Sequence, residues 1–234
     1  MGGGDRQPAA ISGVMARDER AGRCFAAYFR PAPSSIMPGG RFVQFTCRGA
    51  AAASYLELMG NAEDAASLGA LRVALAQINP TVGALRANTN LIVEAAHAAE
   101  RQDADLVVFP EMAVSGYPPE DLVLRRHFLD DVERALAEME RRLPLGLVAL
   151  VGAPRRTDDG RICNAAWVFA GGRRVGVYDK MLLPNYGVFD EVRLFHPGPR
   201  PARLCLGSWR IGVHICEDSW RPEAAPCSAL RGAV

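Results

Sequence analysis

Lysine is almost absent from this sequence, since 26 of its 27 basic residues are arginine and only Lys180 is lysine. Together with the high content of alanine, glycine and proline, this bias is typical of a GC-rich genome. Arginine cannot supply a compact ammonium with a tunable pKa, because its guanidinium is planar and always charged. A lysine that persists against the bias is therefore a candidate functional residue, with survival by chance as the alternative.

Several classes of protein are excluded by features that are missing. The formal net charge of +1 provides no attraction toward nucleic acid or an anionic membrane. No apolar run approaches the roughly 20 residues that cross a bilayer, and the first residues show no secretory pattern. Neither Gly-rich phosphate-binding motif, G-x-G-x-x-G or G-x-x-x-x-G-K-[ST], occurs. We expect a cytoplasmic protein.

The six cysteines form no C-x-x-C pair, which argues against a zinc knuckle, a thioredoxin-type motif and a disulfide scaffold. His214, Cys216 and Cys227 remain as an alternative metal-ligand set, but their spacing matches no common site. We therefore predict no bound metal in this chain. The cysteines are Cys24, Cys47, Cys163, Cys205, Cys216 and Cys227.

Residues 1–70 differ in composition from the rest of the chain. They contain Gly and Pro clusters and an Ala-rich tract, and no helical or strand period is sustained along them. We expect this segment to be disordered or only locally structured, or to be an over-extended gene start with Met59 as the true initiator. The predicted organisation is thus an N-terminal segment, 1–70, followed by one domain, 71–234.

Beyond residue 70 the hydrophobic pattern alternates between strands and helices. The first helix is expected to begin at Asn88 or Asn90 and to run to about residue 102, and the second spans about residues 120–143. Helices that separate the early strands, with hairpins later, predict an α/β layered fold with a mixed sheet. Strands are predicted at residues 71–78, 106–109, 146–152, 162–170, 174–178 and 211–216.

Three polar residues lie at the ends of predicted strands. Glu111 follows LVVFP, Lys180 follows VGVYD, and Cys216 ends IGVHI. Because open α/β sheets bind ligands at the carboxyl ends of their strands, these side chains are predicted to share a site. A carboxylate can act as general base for a thiol nucleophile, whose ordinary pKa is about 8.5. Lys180 and the backbone N–H of Glu217 can stabilise the oxyanion that forms on a carbonyl.

The motifs around these residues resemble a known family. FPEM with Glu111, YDKMLLPNYGVFDE with Lys180 and GVHICEDSW with Cys216 match the Glu-Lys-Cys pattern of the nitrilase, or carbon–nitrogen hydrolase, superfamily. With ALAQINPTVG and FPEMAVSGYPPEDL, the sequence from residue 71 to about 222 further resembles the glutaminase domains of glutamine-dependent NAD synthetases. The resemblance implies a nitrilase-like α-β-β-α sandwich, incomplete at its C-terminus.

The same resemblance implies roles for individual residues. Glu111 is expected to be the base that deprotonates Cys216 and later activates water. Cys216 is expected to attack the side-chain amide of glutamine, which releases ammonia and leaves a thioester. Lys180 is expected to stabilise the tetrahedral oxyanions, with Glu191 and Glu217 in supporting roles. The glutamine pocket is expected to be shaped by Tyr117, Tyr186 and Phe189.

Alternatives remain open for these residues. Glu111 could be a carboxylate placed at a helix N-terminus for the dipole, and the three aromatic residues could belong to the core or to turns. His214 or His196 could form a Cys-His dyad with Cys216, although the Glu-Lys-Cys set does not need one. Two further residues near the cysteine are interpreted as structural, Asp218 and Trp220.

The family pattern extends beyond the residues present here. The resemblance implies further strands and helices after Val234, and then a synthetase domain that would use ATP, Mg and deamido-NAD. We therefore predict no cofactor for this chain, glutamine as its small-molecule partner, and a homo-oligomer for the full-length enzyme. The chain is interpreted as a truncated glutaminase portion of an NAD synthase. The alternatives are a stand-alone amidase acting on another small amide and an inactive remnant.

Overall fold

The computed structural model describes residues 14–18, 23–26, 36–37, 40–47, 71–206 and 209–220. Met59 and Cys227 lie outside these residues, so the interpretations made for them stay predictions. Within the first 70 residues the structure contains four strands, in a segment for which the sequence predicts disorder or only local structure. The domain boundary near residue 70 likewise stays a prediction.

The larger sheet has seven strands among the described residues. In spatial order they are β3 (Ile36–Met37), β4 (Gly40–Cys47), β5 (Leu71–Gln77), β6 (Leu106–Val108), β7 (Val148–Arg156), β8 (Ile162–Ala170) and β9 (Arg173–Asp179). β6 pairs in parallel with β5 and β7, and the other neighbours are antiparallel. A parallel central strand is covered on both faces, which accounts for the burial of every residue of β6. The predicted mixed sheet is confirmed.

A smaller, fully antiparallel sheet carries the segment that leads to Cys216. Its order is β10 (Ala202–Leu206), β11 (Trp209–Val213), β1 (Val14–Asp18) and β2 (Arg23–Ala26). The sequence analysis missed β10, whose residues alternate between exposed and half-buried positions and include only short apolar stretches. The strand predicted at 211–216 ends at Val213, so Cys216 lies beyond it.

The helices begin at residues other than those predicted. Helix α1 is Leu85–Glu100, and Asn88 does not cap it: the buried Asn88 amide donates to the carbonyls of Thr81 and Val114 and accepts from the Thr81 N–H. The second predicted helix is divided by the extended residue Arg125 into a 3₁₀ turn, Glu120–Leu124, and helix α2, Arg126–Arg142. Helix α3 is the short segment Glu191–Leu194, and the 3₁₀ turn Cys216–Ser219 follows β11. Among the described helices, none combines the length and apolarity needed to cross a membrane.

Two apolar clusters place these elements in layers. One cluster joins a face of the larger sheet to the buried stripes of α1 and α2, including Ile92 and Leu136. The other joins the opposite face of that sheet to β11 and the segment after it, with Leu106 and Val108 packed in the same cluster as Ile211 and Ile215. The described residues therefore form a helix layer and two stacked sheets. Burying both faces of the larger sheet is the main apolar stabilisation of this arrangement.

Replacing Gly152 by alanine tests the close packing of β7 against the segment that carries Glu111. A Cβ at Gly152 would lie 2.5 Å from the carbonyl oxygen of Pro110 and 2.5 Å from the amide nitrogen of Met112. Overpacking of this kind costs about 1–3 kcal/mol, so the free energy of unfolding measured in urea should fall by that amount. Gly176→Ala is the matched control, because its Cβ would meet only Val168 at ordinary contact distance. Equal stability of the two variants would contradict the packing described here.

Candidate active site

Glu111 is held by a turn that the larger sheet supports directly. The chain leaves β6 through Phe109, whose N–H donates to the Leu150 carbonyl, and Val114 N–H donates to the Gly152 carbonyl 3.1 Å away. Met112 has a positive φ of 55°, which only a tightly supported turn maintains in a residue with a side chain. The Glu111 carboxylate is consequently fixed below the surface.

Lys180 is fixed by backbone hydrogen bonds on both of its sides. Its N–H donates to the carbonyl of Asn164 on β8 at 2.8 Å, and its carbonyl accepts from Gly198 N–H at 2.7 Å. Gly198 permits this approach, because a Cβ there would lie 2.0 Å from the Asp179 carbonyl oxygen. The long side chain therefore begins from a rigid position at the end of β9.

The Lys180 ammonium lies between two carboxylates. Its Nζ is 2.8 Å from Oε1 of Glu111, and it is 3.0 Å and 2.8 Å from Oε1 and Oε2 of Glu191. Lys180 is 0% exposed, Glu191 3% and Glu111 8%, so water screens these charges little. With all three groups ionised, the cluster carries a net charge of −1.

The two effects of burial and charge oppose each other in this cluster. Burial alone would lower the pKa of Lys180, but the carboxylates of Glu111 and Glu191 raise it above the ordinary 10.5. Burial raises the pKa of Glu191 above 4.5, since the nearby Lys180 charge offsets this only in part and Glu111 adds to it. At neutral pH the ammonium is therefore charged and available to stabilise an anion.

Asn164 is a site residue that the sequence analysis missed. It is fully buried on β8, and its Nδ2 donates to Oε1 of Glu111 at 2.5 Å. Lys180 uses the same oxygen, so within the described part of the chain both donors reach Oε1 and none reaches Oε2. Oε2 is thus the oxygen of Glu111 left to accept a proton. The signal in the sequence was an amide inside the otherwise apolar run ICNAAWVFA.

Cys216 opens the turn that follows β11. Ile215 is extended, and Cys216 then takes a positive φ of 45°, which directs the chain abruptly into the turn. Burial raises the pKa of the half-buried thiol to about 11, with a further increase from the Glu111 charge and an opposing effect from Lys180. The thiol therefore shares the electrostatic environment of the Glu111–Lys180–Glu191 cluster and is protonated at neutral pH.

Aromatic residues from two segments contact groups of this site. Tyr117 donates its hydroxyl to Oε1 of Glu191 at 3.0 Å. Tyr186 donates to Oε2 of Glu217 at 2.7 Å and packs edge-to-face on Phe189, with ring centroids 5.7 Å apart. The structure thus connects Tyr117 to the lysine cluster and Tyr186 to the residue after Cys216. Their role as walls of a glutamine pocket stays a prediction.

His214 and His196, the two histidines considered as partners of Cys216, lie in different environments. Burial lowers the pKa of His214 below 6.5, against an opposing effect of Asp218, so its imidazole is neutral at pH 7. His196 N–H donates to the Ile162 carbonyl, and His196 lines an open groove of about 560 Å³ together with Glu217. In the described residues no group of three His, Cys, Asp or Glu side chains is placed to hold a metal ion. The alternative ligand set includes Cys227, which is outside those residues.

Comparison with known proteins assigns the family. The carbon–nitrogen hydrolase family model matches residues 72–234. The chain belongs to the carbon–nitrogen hydrolase family. This confirms the resemblance drawn from the three motifs, and the nitrilase-like α/β fold class is confirmed with it.

Individual relatives within the family are glutamine-dependent NAD(+) synthetases. The chain is 45% identical over 163 residues to that of Thermotoga maritima, covering 69% of this chain and 28% of the relative. For Rhodobacter capsulatus the identity is 43% over 162 residues, covering 69% and 29%. The carbon–nitrogen hydrolase chain described here thus spans less than a third of these relatives' length.

Two solved structures are similar to the fold of this chain. The glutamine-dependent NAD+ synthetase from Acinetobacter baumannii matches with a TM-score of 0.65 and 39% identity, covering 69% of this chain and 30% of that one. An amidase from Nesterenkonia sp. matches with a TM-score of 0.59 and 28% identity, covering 70% of this chain and 62% of that one.

Removing the Lys180 charge should destabilise the protein. In Lys180→Met, Glu111 and Glu191 stay buried without their counter-ion, and such a loss costs about 3–5 kcal/mol. The raised pKa of Glu191 means that its protonated form favours the folded state, so the deficit should shrink as pH falls toward 5. Urea unfolding of Lys180→Met at pH 7.5 and pH 5.5 measures this. Lys180→Met/Glu191→Gln is the control, and it should recover part of the loss at pH 7.5; a deficit that is equal at both pH values would contradict the charge argument.

Proposed function

We propose that this chain hydrolyses the side-chain amide of glutamine through a thioester on Cys216 and releases ammonia. The observation that carries the proposal is the buried Glu111–Lys180–Glu191 cluster beside the half-buried Cys216 thiol. It combines a proton acceptor, a fixed cation and a nucleophile, which are the groups that acyl transfer from an amide requires.

The first half of the reaction forms the acyl-enzyme. Oε2 of Glu111 accepts the Cys216 proton as Sγ bonds to the amide carbon, and the carbonyl electrons move to oxygen. Lys180 and the backbone N–H of Glu217 stabilise that oxyanion. When the tetrahedral intermediate collapses, the carbon–nitrogen bond breaks and Glu111 returns the proton to nitrogen. Ammonia leaves, and a glutamyl thioester remains on Cys216.

The second half regenerates the thiol. Glu111 takes a proton from a water molecule, whose oxygen attacks the thioester carbon to give a second oxyanion beside Lys180. The carbon–sulfur bond then breaks, the proton passes to sulfur, and glutamate departs. The raised pKa of Cys216 fits this scheme, because the thiol stays neutral until a bound carbonyl can accept its electrons.

Glutamine is proposed as the substrate because of the relatives and the surroundings of the thiol. The relatives at 45% and 43% identity are named for their dependence on glutamine. Glu217, which follows Cys216, faces the groove that Met181 and His196 also line. In this proposal the ammonia serves NAD synthesis in a cytoplasmic, homo-oligomeric enzyme, where ATP, Mg and deamido-NAD are used outside the residues present here.

A general amidase is the second candidate function. It is favoured by the structural match to the Nesterenkonia amidase, 62% of which this chain covers. Both candidates use the same Glu-Lys-Cys chemistry and differ in the amide that is bound. They are therefore separated by substrate preference.

Ammonia release from glutamine should distinguish the two candidates. We expect the 234-residue chain to release ammonia from glutamine faster than from acetamide, propionamide or asparagine, as measured by a coupled assay of free ammonia. Faster turnover of the simple aliphatic amides would favour the general amidase. A cooperatively folding chain that releases ammonia from none of these amides would contradict both candidates and support an inactive remnant.

Two substitutions test the assigned chemistry. Cys216→Ala removes the nucleophile, and Lys180→Arg places a planar, forked cation where a compact ammonium fits, so both should reduce ammonia release to background. Cys205→Ala removes an exposed thiol on β10 and is the control, with activity expected to match that of the unmodified chain. Full activity in Cys216→Ala would overturn the thioester mechanism.

A further inference from the structure

Asp218 is a fully buried carboxylate that the proposed mechanism does not use. Its Oδ2 accepts from the Tyr178 hydroxyl at 2.7 Å and from Ile215 N–H at 3.0 Å. Its Oδ1 accepts from Met181 N–H at 3.2 Å and from Leu182 N–H at 2.9 Å. Among the described residues its hydrogen-bond partners are thus three backbone amides and a phenol, with no cation among them. A buried carboxyl group without a cation relies on such hydrogen-bond donors.

The donors to Asp218 come from both halves of the candidate active site. Met181 and Leu182 directly follow Lys180, at the end of β9 in the larger sheet. Ile215 directly precedes Cys216, after β11 in the smaller sheet. One carboxylate therefore bonds to the segment that carries the cation and to the segment that carries the nucleophile.

Asp218 also encloses the backbone of Cys216. Ile215 N–H donates to the Asp218 carboxylate, while Asp218 N–H donates to the Ile215 carbonyl at 3.1 Å. Cys216 lies within this reciprocal pair at a φ of 45°, a conformation that costs free energy in any residue with a Cβ. The surroundings must hold such a residue in place, and the two bonds from Asp218 do so.

We propose that Asp218 is a positioning residue that sets the placement of Cys216 relative to Lys180 and Glu111. The inference rests on the proposed thiol chemistry, and it adds a role for a residue that touches neither substrate nor reacting atoms. Displacing a reacting group by about 1 Å can reduce turnover by about 100-fold, so a bond between the two segments has direct catalytic value.

Asp218→Asn breaks the connection between the Cys216 segment and the Lys180 segment with little change in side-chain size. An amide can accept hydrogen bonds on one side only, so either the Ile215 N–H or the Met181 and Leu182 N–H groups lose their acceptor. Tyr178→Phe is the matched control, because it removes one donor to Asp218 and leaves the three backbone bonds intact. Both variants are expected to melt at a lower temperature than the unmodified chain.

Two measurements on the 234-residue chain test the proposal. For ammonia release from glutamine, Asp218→Asn should lower kcat by about 100-fold with KM changed less than about three-fold, whereas Tyr178→Phe should retain kcat. The second measurement is the pH profile of Cys216 labelling by iodoacetamide, followed by peptide mass spectrometry. Its midpoint should lie near the pKa of about 11 in the unmodified chain and move down toward 9.0 in Asp218→Asn. The titratable groups that interact with the thiol are Glu111, Lys180, Glu191, Glu217 and Tyr117.

The outcomes distinguish failure of the proposed function from failure of the positioning role of Asp218. If the unmodified chain releases no ammonia, the proposed function fails, and the labelling profile still decides the role of Asp218. An Asp218→Asn variant with unchanged midpoint and kcat would overturn the positioning role, whatever its melting temperature. The buried Cys163 reports the fold, because its labelling at a given pH should exceed that in the unmodified chain only if the variant unfolds. In that case the decision passes to Asp218→Glu, whose longer carboxylate keeps the charge but should shift the midpoint in the same direction; an unchanged midpoint there overturns the proposal.

Discussion

One buried ammonium between two carboxylates is the interaction on which the candidate active site depends. Glu111 follows β6, Lys180 follows β9, and Glu191 opens α3, so three separate segments meet at the Nζ atom. Each charge would be unfavourable at its depth alone, and the three are tolerable because they neutralise each other in part. The position of each segment is consequently linked to the positions of the other two. The cluster's net negative charge is also one reason why the nearby thiol keeps its proton.

The proposed nucleophile reaches this cluster from the other sheet. Cys216 follows β11, and its approach to Glu111 is fixed by the apolar contact between the sheets, where Leu106 and Val108 lie in the same cluster as Ile211. The geometry of the candidate site is therefore a consequence of how two sheets stack. Non-directional apolar packing alone tolerates small shifts, and hydrogen bonds such as those of Asp218 and of Tyr186 to Glu217 supply the directional restraint.

The parts of this arrangement that follow from local pattern could be predicted from the sequence. Strand ends marked by Glu111 and Lys180 indicated the candidate site, since both strands belong to the larger sheet and end at one edge. The position of Cys216 after a strand of a second sheet was not predicted, and the motifs indicated the family. The predictions that were wrong concern residues whose role depends on tertiary contacts. Asn88 has the composition of a helix cap, yet its amide holds the Thr81 and Val114 backbone, and this pairing joins residues 26 apart. No local period indicates such a bond.

Asn164, within the candidate active site, is a second residue whose role could not be predicted from local sequence. Its strand is apolar, and an isolated amide in such a strand is compatible with many structures. Its role follows only from the fold, which brings Oε1 of Glu111 to 2.5 Å from Nδ2 of Asn164. Asp218 is interpreted from the sequence as structural, and no local pattern indicates its partners. Its four donors come from four different residues, three of them more than 30 positions away, so its connection between the two segments exists only in the folded chain.

The scarcity of lysine acquires a physical explanation once Lys180 is placed. Three carboxylate oxygens lie within 3.0 Å of a single Nζ atom that has no solvent exposure. The ammonium donates hydrogen bonds to Oε1 of Glu111 and Oε1 of Glu191, which leaves its third N–H, while a guanidinium spreads its donors over a plane and demands more room. Arginine can replace lysine at surface positions, but it is not a comparable substitute at position 180. The same compactness leaves space beside the cation for a second, transient anion, which is what an oxyanion on a bound amide would require.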